Sequence, residues 1–152
     1  MMPKKVDDTN KAIARLLQDG RKSYSAIAEE LGVTENTVRT RVNKMIEDGV
    51  LSVKGLVNPQ NMSGLQVAIL GVKTKTMDLE RKARELSRLH GVISCCVVTG
   101  RFDLIVHLEL SDEDGSSLLN FFKNELVKVN EIAGVETFVV YQSCNLEVPY
   151  LL

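Results

Sequence analysis

The chain has no excess of basic charge, no apolar run long enough to span a bilayer and only three cysteines in 152 residues. Each shortage removes a class of function. A formal net charge of −1 argues against a uniformly basic nucleic-acid coat, so any DNA binding has to come from a local patch on one module. The missing apolar run argues against membrane partners, and the opening MMPKKVDD reads as neither a signal peptide nor an acylation motif, which predicts a cytoplasmic protein. Three cysteines, Cys95, Cys96 and Cys144, suit a reducing compartment and make no disulfide framework. What remains, 44% hydrophobic and 26% charged residues, is the composition of a soluble globular protein of one medium domain or two small ones.

The most informative stretch is residues 24–48, YSAIAEELGVTENTVRTRVNKMIED. Ile27, Ala28 and Leu31 fall on one helical face after Ser23, a candidate N-cap. Gly32 supplies a turn, Thr34 can cap a second helix, and Glu35 meets its positive end. Val38, Val42, Met45 and Ile46 form the inward stripe of that second helix, and Gly49 ends it. This is a helix-turn-helix, with an ordinary helical hairpin as the alternative. Upstream, VDDTNKAIARLLQDG predicts a supporting helix with Ile13, Leu16 and Leu17 inward.

Thr34, Asn36, Thr37, Arg39, Thr40, Arg41, Asn43 and Lys44 then face outward as candidate DNA contacts. Arginine pairs bidentately with guanine, asparagine with adenine, and threonine meets phosphate or the thymine methyl. No acidic residue interrupts the face between Asn36 and Met45. Arg41, at the edge of the inward stripe, is expected to pack its stem and send its head to phosphate.

Residues 1–49 are thus expected to form the DNA-binding domain and 50–64 a linker, a short strand or wing around Lys54-Gly55. Residues 65–152 form a second domain. There the order is strand, helix, strand, strand, helix, strand, the split βαβ plan of a ferredoxin-like α+β domain with two helices on one face of an antiparallel sheet. The first helix shows Asp78 as cap and Leu79, Ala83, Leu86 and Leu89 as stripe; the second shows Ser111 and Asp114 in capping-box spacing with Leu118, Leu119, Phe122 and Leu126 inward. The strands are apolar on both faces although both helices lie on one, so the other face calls for a second copy of the chain. The apolar tail NLEVPYLL is expected to dock, on its own chain or on a partner.

Adjacent cysteines on a strand point to opposite faces and cannot grip one metal together, so buried thiols are expected and no metal or cofactor. His107, on the face opposite Val106 and Leu108, reads as a satisfied sheet histidine.

VDDTNKAIARLLQDGRKS, AIAEELGVTENTVRTRVNKMIEDGVL and VVTGRFDLIVHLEL together resemble the Lrp/AsnC, or feast/famine, family over essentially the whole chain. Asn10 and Ala14 depart from its usual acidic and larger apolar residues. The resemblance implies a transcriptional regulator of double-stranded DNA, not an enzyme, whose dimers assemble to tetramers, octamers or higher. It also implies a small amino-acid effector at the TG-x-x-D turn, Thr99, Gly100, Arg101, Phe102 and Asp103, with Thr137, placed near the start of the last strand, beside it. A zwitterion needs an acceptor for its ammonium, which Asp103 can supply, and donors for its carboxylate, which amides around Gly100 and Arg101 can supply. The other reading is that Gly100 makes the hairpin and Asp103 bonds its own turn. Dimeric heads would then sit in successive major grooves, roughly 34 Å apart. Two further functions stay open: an effector-independent architectural protein, and a sirohaem-decarboxylase-like enzyme on the same two-module plan.

Overall fold

A computed structural model describes residues 6–111 and 117–151. The chain separates into two compact units, Met1–Lys54 and Gly55–Leu152.

The first unit is three helices: α1, Asp8–Leu16; α2, Tyr24–Leu31; and α3, Glu35–Glu47. Each begins where a short polar side chain takes a helix amide. Asp7 accepts from Asn10, Ser23 from Ala26 and Thr34 from Thr37. The turn between α2 and α3 needs a left-handed residue, and Gly32 occupies it at φ 65°, after which the Val33 amide donates to Ala28 O at 3.0 Å. Ile13, Ile27, Ala28, Val38, Val42 and Met45 close the core. Ile46 does not join them and is 44% exposed. Eight residues on from Val38 it has rotated about 80° around α3, past the edge of the buried stripe.

In the second unit β1, Leu56–Val57, precedes β2, Leu65–Thr74; α4, Leu79–Leu86; β3, Val92–Val97; β4, Leu104–Ser111; α5, Leu118–Asn120; β5, Ile132–Val139; and β6, Val148–Pro149. The four long strands stand in the order β3-β4-β2-β5, every neighbour antiparallel. This is the ferredoxin-like arrangement. Ala68, Leu70, Val72, Leu104, Val106 and Leu108 point to one face and pack with Leu86 of α4 and with Phe121. Their sequence neighbours Ile69, Gly71, Ile105 and His107 point to the other.

The structure decides two alternatives in this unit and corrects one expectation, the cap of α5. Of the short strand and the wing expected around Lys54-Gly55, the short strand forms: Leu56–Val57 pairs with Val148–Pro149 of the tail, and Gly55 lacks the positive φ that a two-residue hairpin turn requires. The tail therefore docks on its own chain, with Val148 buried and the Leu151 amide donating to Glu109 Oε2 at 3.1 Å. The cap of α5 is Ser117, which accepts from Asn120; Ser111 belongs to β4 and Asp114 lies outside the described residues. Beyond α5 the backbone widens into a π turn over Phe121–Glu125 and tightens over Leu126–Lys128. Phe121 is buried there, while Leu119, on the outer side, is 61% exposed.

Candidate nucleic-acid interface and effector site

The outer face of α3 carries Asn36, Arg39, Thr40, Asn43 and Lys44, all exposed, with Thr34 exposed at its start. Thr37 and Arg41 are half-buried. The Thr37 hydroxyl lies 2.9 Å from that of Thr34, inside the cap. Each of the three cations has a carboxylate beside it. Arg39 pairs with Glu35, Arg41 with Asp7 at 2.7 Å, and Lys44 with Asp48 at 3.2 Å. The Arg41 guanidinium also donates to Asn10 Oδ1 at 2.9 Å, so Asn10 of α1 anchors it.

Glu35/Arg39 and Lys44/Asp48 sit at helical i,i+4 spacing, a signal present in the sequence. Asp7, 34 residues from Arg41, carries no local signal. Hydrogen bonding from Arg41 and from the Asn10 amide holds the Asp7 carboxyl below its usual range, and bonds from Ser25 and Arg39 do the same for Glu35, so both are ionised at neutral pH. Surface pairs of this kind contribute about 0–1 kcal/mol. An incoming phosphate can therefore draw Arg41 or Lys44 away from its carboxylate at small cost.

The β3–β4 turn is the second candidate site. Gly100 adopts φ 121°, a conformation that favours glycine, and Thr99, Gly100 and Arg101 are exposed. Asp103 does not bond its own turn through its carboxylate. Its Oδ2 accepts the Thr74 amide at 2.9 Å and its Oδ1 accepts Lys73 Nζ at 3.1 Å, latching the turn to the end of β2. Its backbone amide donates to Val72 O and its carbonyl accepts from Val98, both at 3.0 Å. A carboxylate has about four acceptor sites, so two bonds leave capacity for an ammonium.

The Thr74 amide, then Lys73, holds the Asp103 carboxyl below its ordinary 3.8. A lowered folded-state pKa contributes stability that is full above 3.8 and is lost as pH falls through the lower folded value. Urea midpoints taken from pH 7 down to pH ~2.5 should fall more steeply for wild type than for Asp103→Asn over the acid end of that range.

Arg101 pairs with Glu136 at 2.5 Å and lies over the Phe102 ring, 5.5 Å from its centroid. Phe102 in turn meets Phe138 edge to face, with centroids 6.4 Å apart. Its ring lies flat against Gly71, where an added Cβ would stand 2.6 Å from three ring atoms. Gly71→Ala should displace Phe102 from the sheet and destabilise the unit by about 1–3 kcal/mol, as overpacking does, measurable by chemical unfolding.

Thr137 is not part of this cluster. It is the sixth of eight residues in β5, not near its start, and it pairs with Leu70 on the helix-covered face. Its neighbours Glu136 and Phe138, opposite Gly71 and Ile69, reach the turn instead. Strand parity was the signal that would have selected them. Thr99, Gly100 and Arg101 are exposed and Phe102 and Asp103 half-buried, and two clefts in this unit, of about 150 and 220 Å³, are lined by other residues.

The thiols also need correction. Only Cys95 is half-buried, its pKa pushed up to about 11 by burial and then by Cys96; Cys96 and Cys144 are exposed. Cys96 pairs with Ile105 on the uncovered sheet face, which exposes it. His107 is satisfied by Ser94, whose Oγ lies 2.8 Å from its Nδ1. No group of three histidine, cysteine, aspartate or glutamate side chains placed to hold a metal occurs among the described residues. Among these residues, too, no helix is long and apolar enough to cross a membrane.

Comparison with known proteins places both units. The family model of the AsnC-type helix-turn-helix domain matches residues 6–46, and that of the Lrp/AsnC ligand binding domain matches residues 67–147. An uncharacterised HTH-type transcriptional regulator of Pyrococcus abyssi is 33% identical over 89% of this chain and 85% of its own length. Escherichia coli AsnC has the same fold, with a TM-score of 0.68 at 23% identity over 94% of this chain and 97% of that one. So does a Neisseria meningitidis transcriptional regulator solved as its L-Met complex, with a TM-score of 0.69 at 18% identity over 97% of this chain and 96% of that one.

Proposed function

The chain belongs to the Lrp/AsnC family of transcriptional regulators, with a DNA-binding and a ligand-binding domain, and from this premise we propose that α3 reads the major groove while the β3–β4 turn receives a small amino acid. The observation that carries the first part is the exposed α3 face, where arginine, lysine, asparagine and threonine stand together on a helix capped by Thr34. Residues 1–49 act as the reading head, 50–64 as its connection and 65–152 as the ligand and assembly module, in a cytoplasmic regulator.

The uncovered sheet face supports assembly. Ile69 and Ile105 lie on it beside Phe102 and Phe138, and Phe138 is 49% exposed, an apolar surface suited to a second copy. Dimers formed there build to tetramers, octamers or higher, and an amino acid at Thr99 to Asp103 shifts how dimers meet and so the DNA path. The open form of the turn supports a pocket completed by a neighbouring copy, and the L-Met bound to the Neisseria regulator supports the ligand class.

A specific observation favours the effector-independent architectural reading as the second choice. Both Asp103 oxygens and the Arg101 guanidinium are already engaged within the chain. A thermal-shift screen against the twenty amino acids separates the two. A ligand at one hundred times its dissociation constant stabilises the native state by about 2.7 kcal/mol, so one or a few amino acids should raise Tm clearly. A flat response to all twenty leaves the architectural reading.

A further inference from the structure

Arg39 is surrounded in a way that Arg41 and Lys44 are not. Glu35, one turn earlier on α3, accepts from Arg39 through Oε1 at 2.5 Å and from the Ser25 hydroxyl through Oε2 at 2.5 Å. The guanidinium also lies over the Tyr24 ring, 5.5 Å from its centroid. Tyr24 and Ser25 are the first two residues of α2, so the carboxylate is held from one helix and the guanidinium rests on the same one.

Stability does not account for this arrangement. The pair is about half exposed at both ends, and i,i+4 pairs of this kind add only a few tenths of a kcal/mol. Geometry accounts for it better. An arginine on a helix surface has many rotamers, and ordering such a side chain at an interface costs about two- to tenfold in affinity. Here two helices hold the rotamer before any DNA arrives. The guanidinium has five N–H donors, and the bond to Glu35 Oε1 uses only part of that fork.

We propose that Ser25, Glu35 and Tyr24 are positioning residues that preset the Arg39 guanidinium for a base edge, so that they set the sequence specificity of the head without touching the base themselves. The inference rests on α3 being the reading helix. It makes an uncommon prediction about charge. Removing Glu35 takes a negative group away from the DNA face, which by electrostatics alone should tighten binding to any duplex. Loss of a preset arginine should instead weaken binding to the preferred duplex only.

The test uses the full-length chain, the duplex that wild type enriches from a randomised pool, and poly(dI-dC) as the non-specific probe, with anisotropy titrations at one salt concentration. Glu35→Ala is expected to lower the ratio of preferred to non-specific affinity by about three- to tenfold, with non-specific binding equal or tighter. Tyr24→Leu should lower the same ratio, and Tyr24→Phe, which keeps the ring face, should restore it. In an Arg39→Ala background neither Glu35→Ala nor Tyr24→Leu should change the ratio further, as expected for residues that act through Arg39. Equal gains on both probes, or no change on either, would overturn the proposal and leave Glu35 a simple electrostatic brake. If Glu35→Ala lowers the melting temperature below the assay range, the Tyr24 pair decides by itself. An Arg39→Ala chain that binds like wild type would instead refute the reading helix, a separate outcome.

Discussion

Arg39→Ala should cost the regulator at least about thirtyfold in affinity for its preferred duplex. A bidentate arginine–guanine contact is worth roughly 1–3 kcal/mol, and the proposed dimer would make it twice, for roughly 2–6 kcal/mol in all. Arg39 is the cation on α3 whose exposed guanidinium is oriented by two helices, whereas the Arg41 head is drawn toward α1 by Asp7 and Asn10. Arg41→Ala should therefore act mainly as loss of a phosphate contact. It should weaken preferred and non-specific duplexes alike and reduce the salt slope by about one per head. Titrations of both variants across a salt series check the contrast. Equal, sequence-independent losses for the two would show that Arg39 touches only the backbone.

Phe138→Asp should convert the proposed assembly to monomers and, through that, nearly silence DNA binding. Phe138 stands 49% exposed on the uncovered sheet face, edge to face with Phe102, so a carboxylate there stays hydrated in the isolated chain. In a face-to-face dimer the same carboxylate would be buried opposite apolar groups, at a cost of several kcal/mol for each copy. Tethered heads gain about 10²- to 10⁴-fold over single ones, and the variant should forfeit that factor. Sedimentation velocity gives the assembly state, and circular dichroism confirms that the monomer is folded. A Phe138→Asp chain that sediments as wild type would place the interface elsewhere.

Much of the fold was legible because its signals are local. Ser23, Gly32 and Thr34 punctuate the helix-turn-helix through their own hydrogen bonds and dihedral angles, and all three act as read. The order of strands and helices in the second unit is likewise carried by periodicity within each segment. Departures arise where one residue of phase matters or where partners are remote. Ile46 continues an apolar stripe on paper but lies beyond its edge, and the π turn after Asn120 puts Phe121 inward while Leu119 stays outside.

The same sensitivity governs the β3–β4 turn. A one-residue difference in parity on β5 separates Thr137, behind the sheet with Leu70, from Glu136 and Phe138, beside Arg101 and Phe102. The Asp103 latch joins residues about thirty positions apart, and β1 pairs with a tail some ninety residues later. Nothing in the local sequence of either partner announces those bonds. On α3 the polar face was visible, but Asp7, the carboxylate that holds Arg41, belongs to another helix.

The most direct test of DNA reading by α3 is selection from a randomised duplex pool by the full-length chain, followed by competition of the enriched duplex against poly(dI-dC) for wild type and Arg39→Ala. If α3 reads DNA, paired half-sites about one helical turn apart emerge, with a preference of about 10³ or more that collapses in the variant. Failure to enrich any duplex, or a preference that Arg39→Ala leaves intact, would contradict DNA reading by α3.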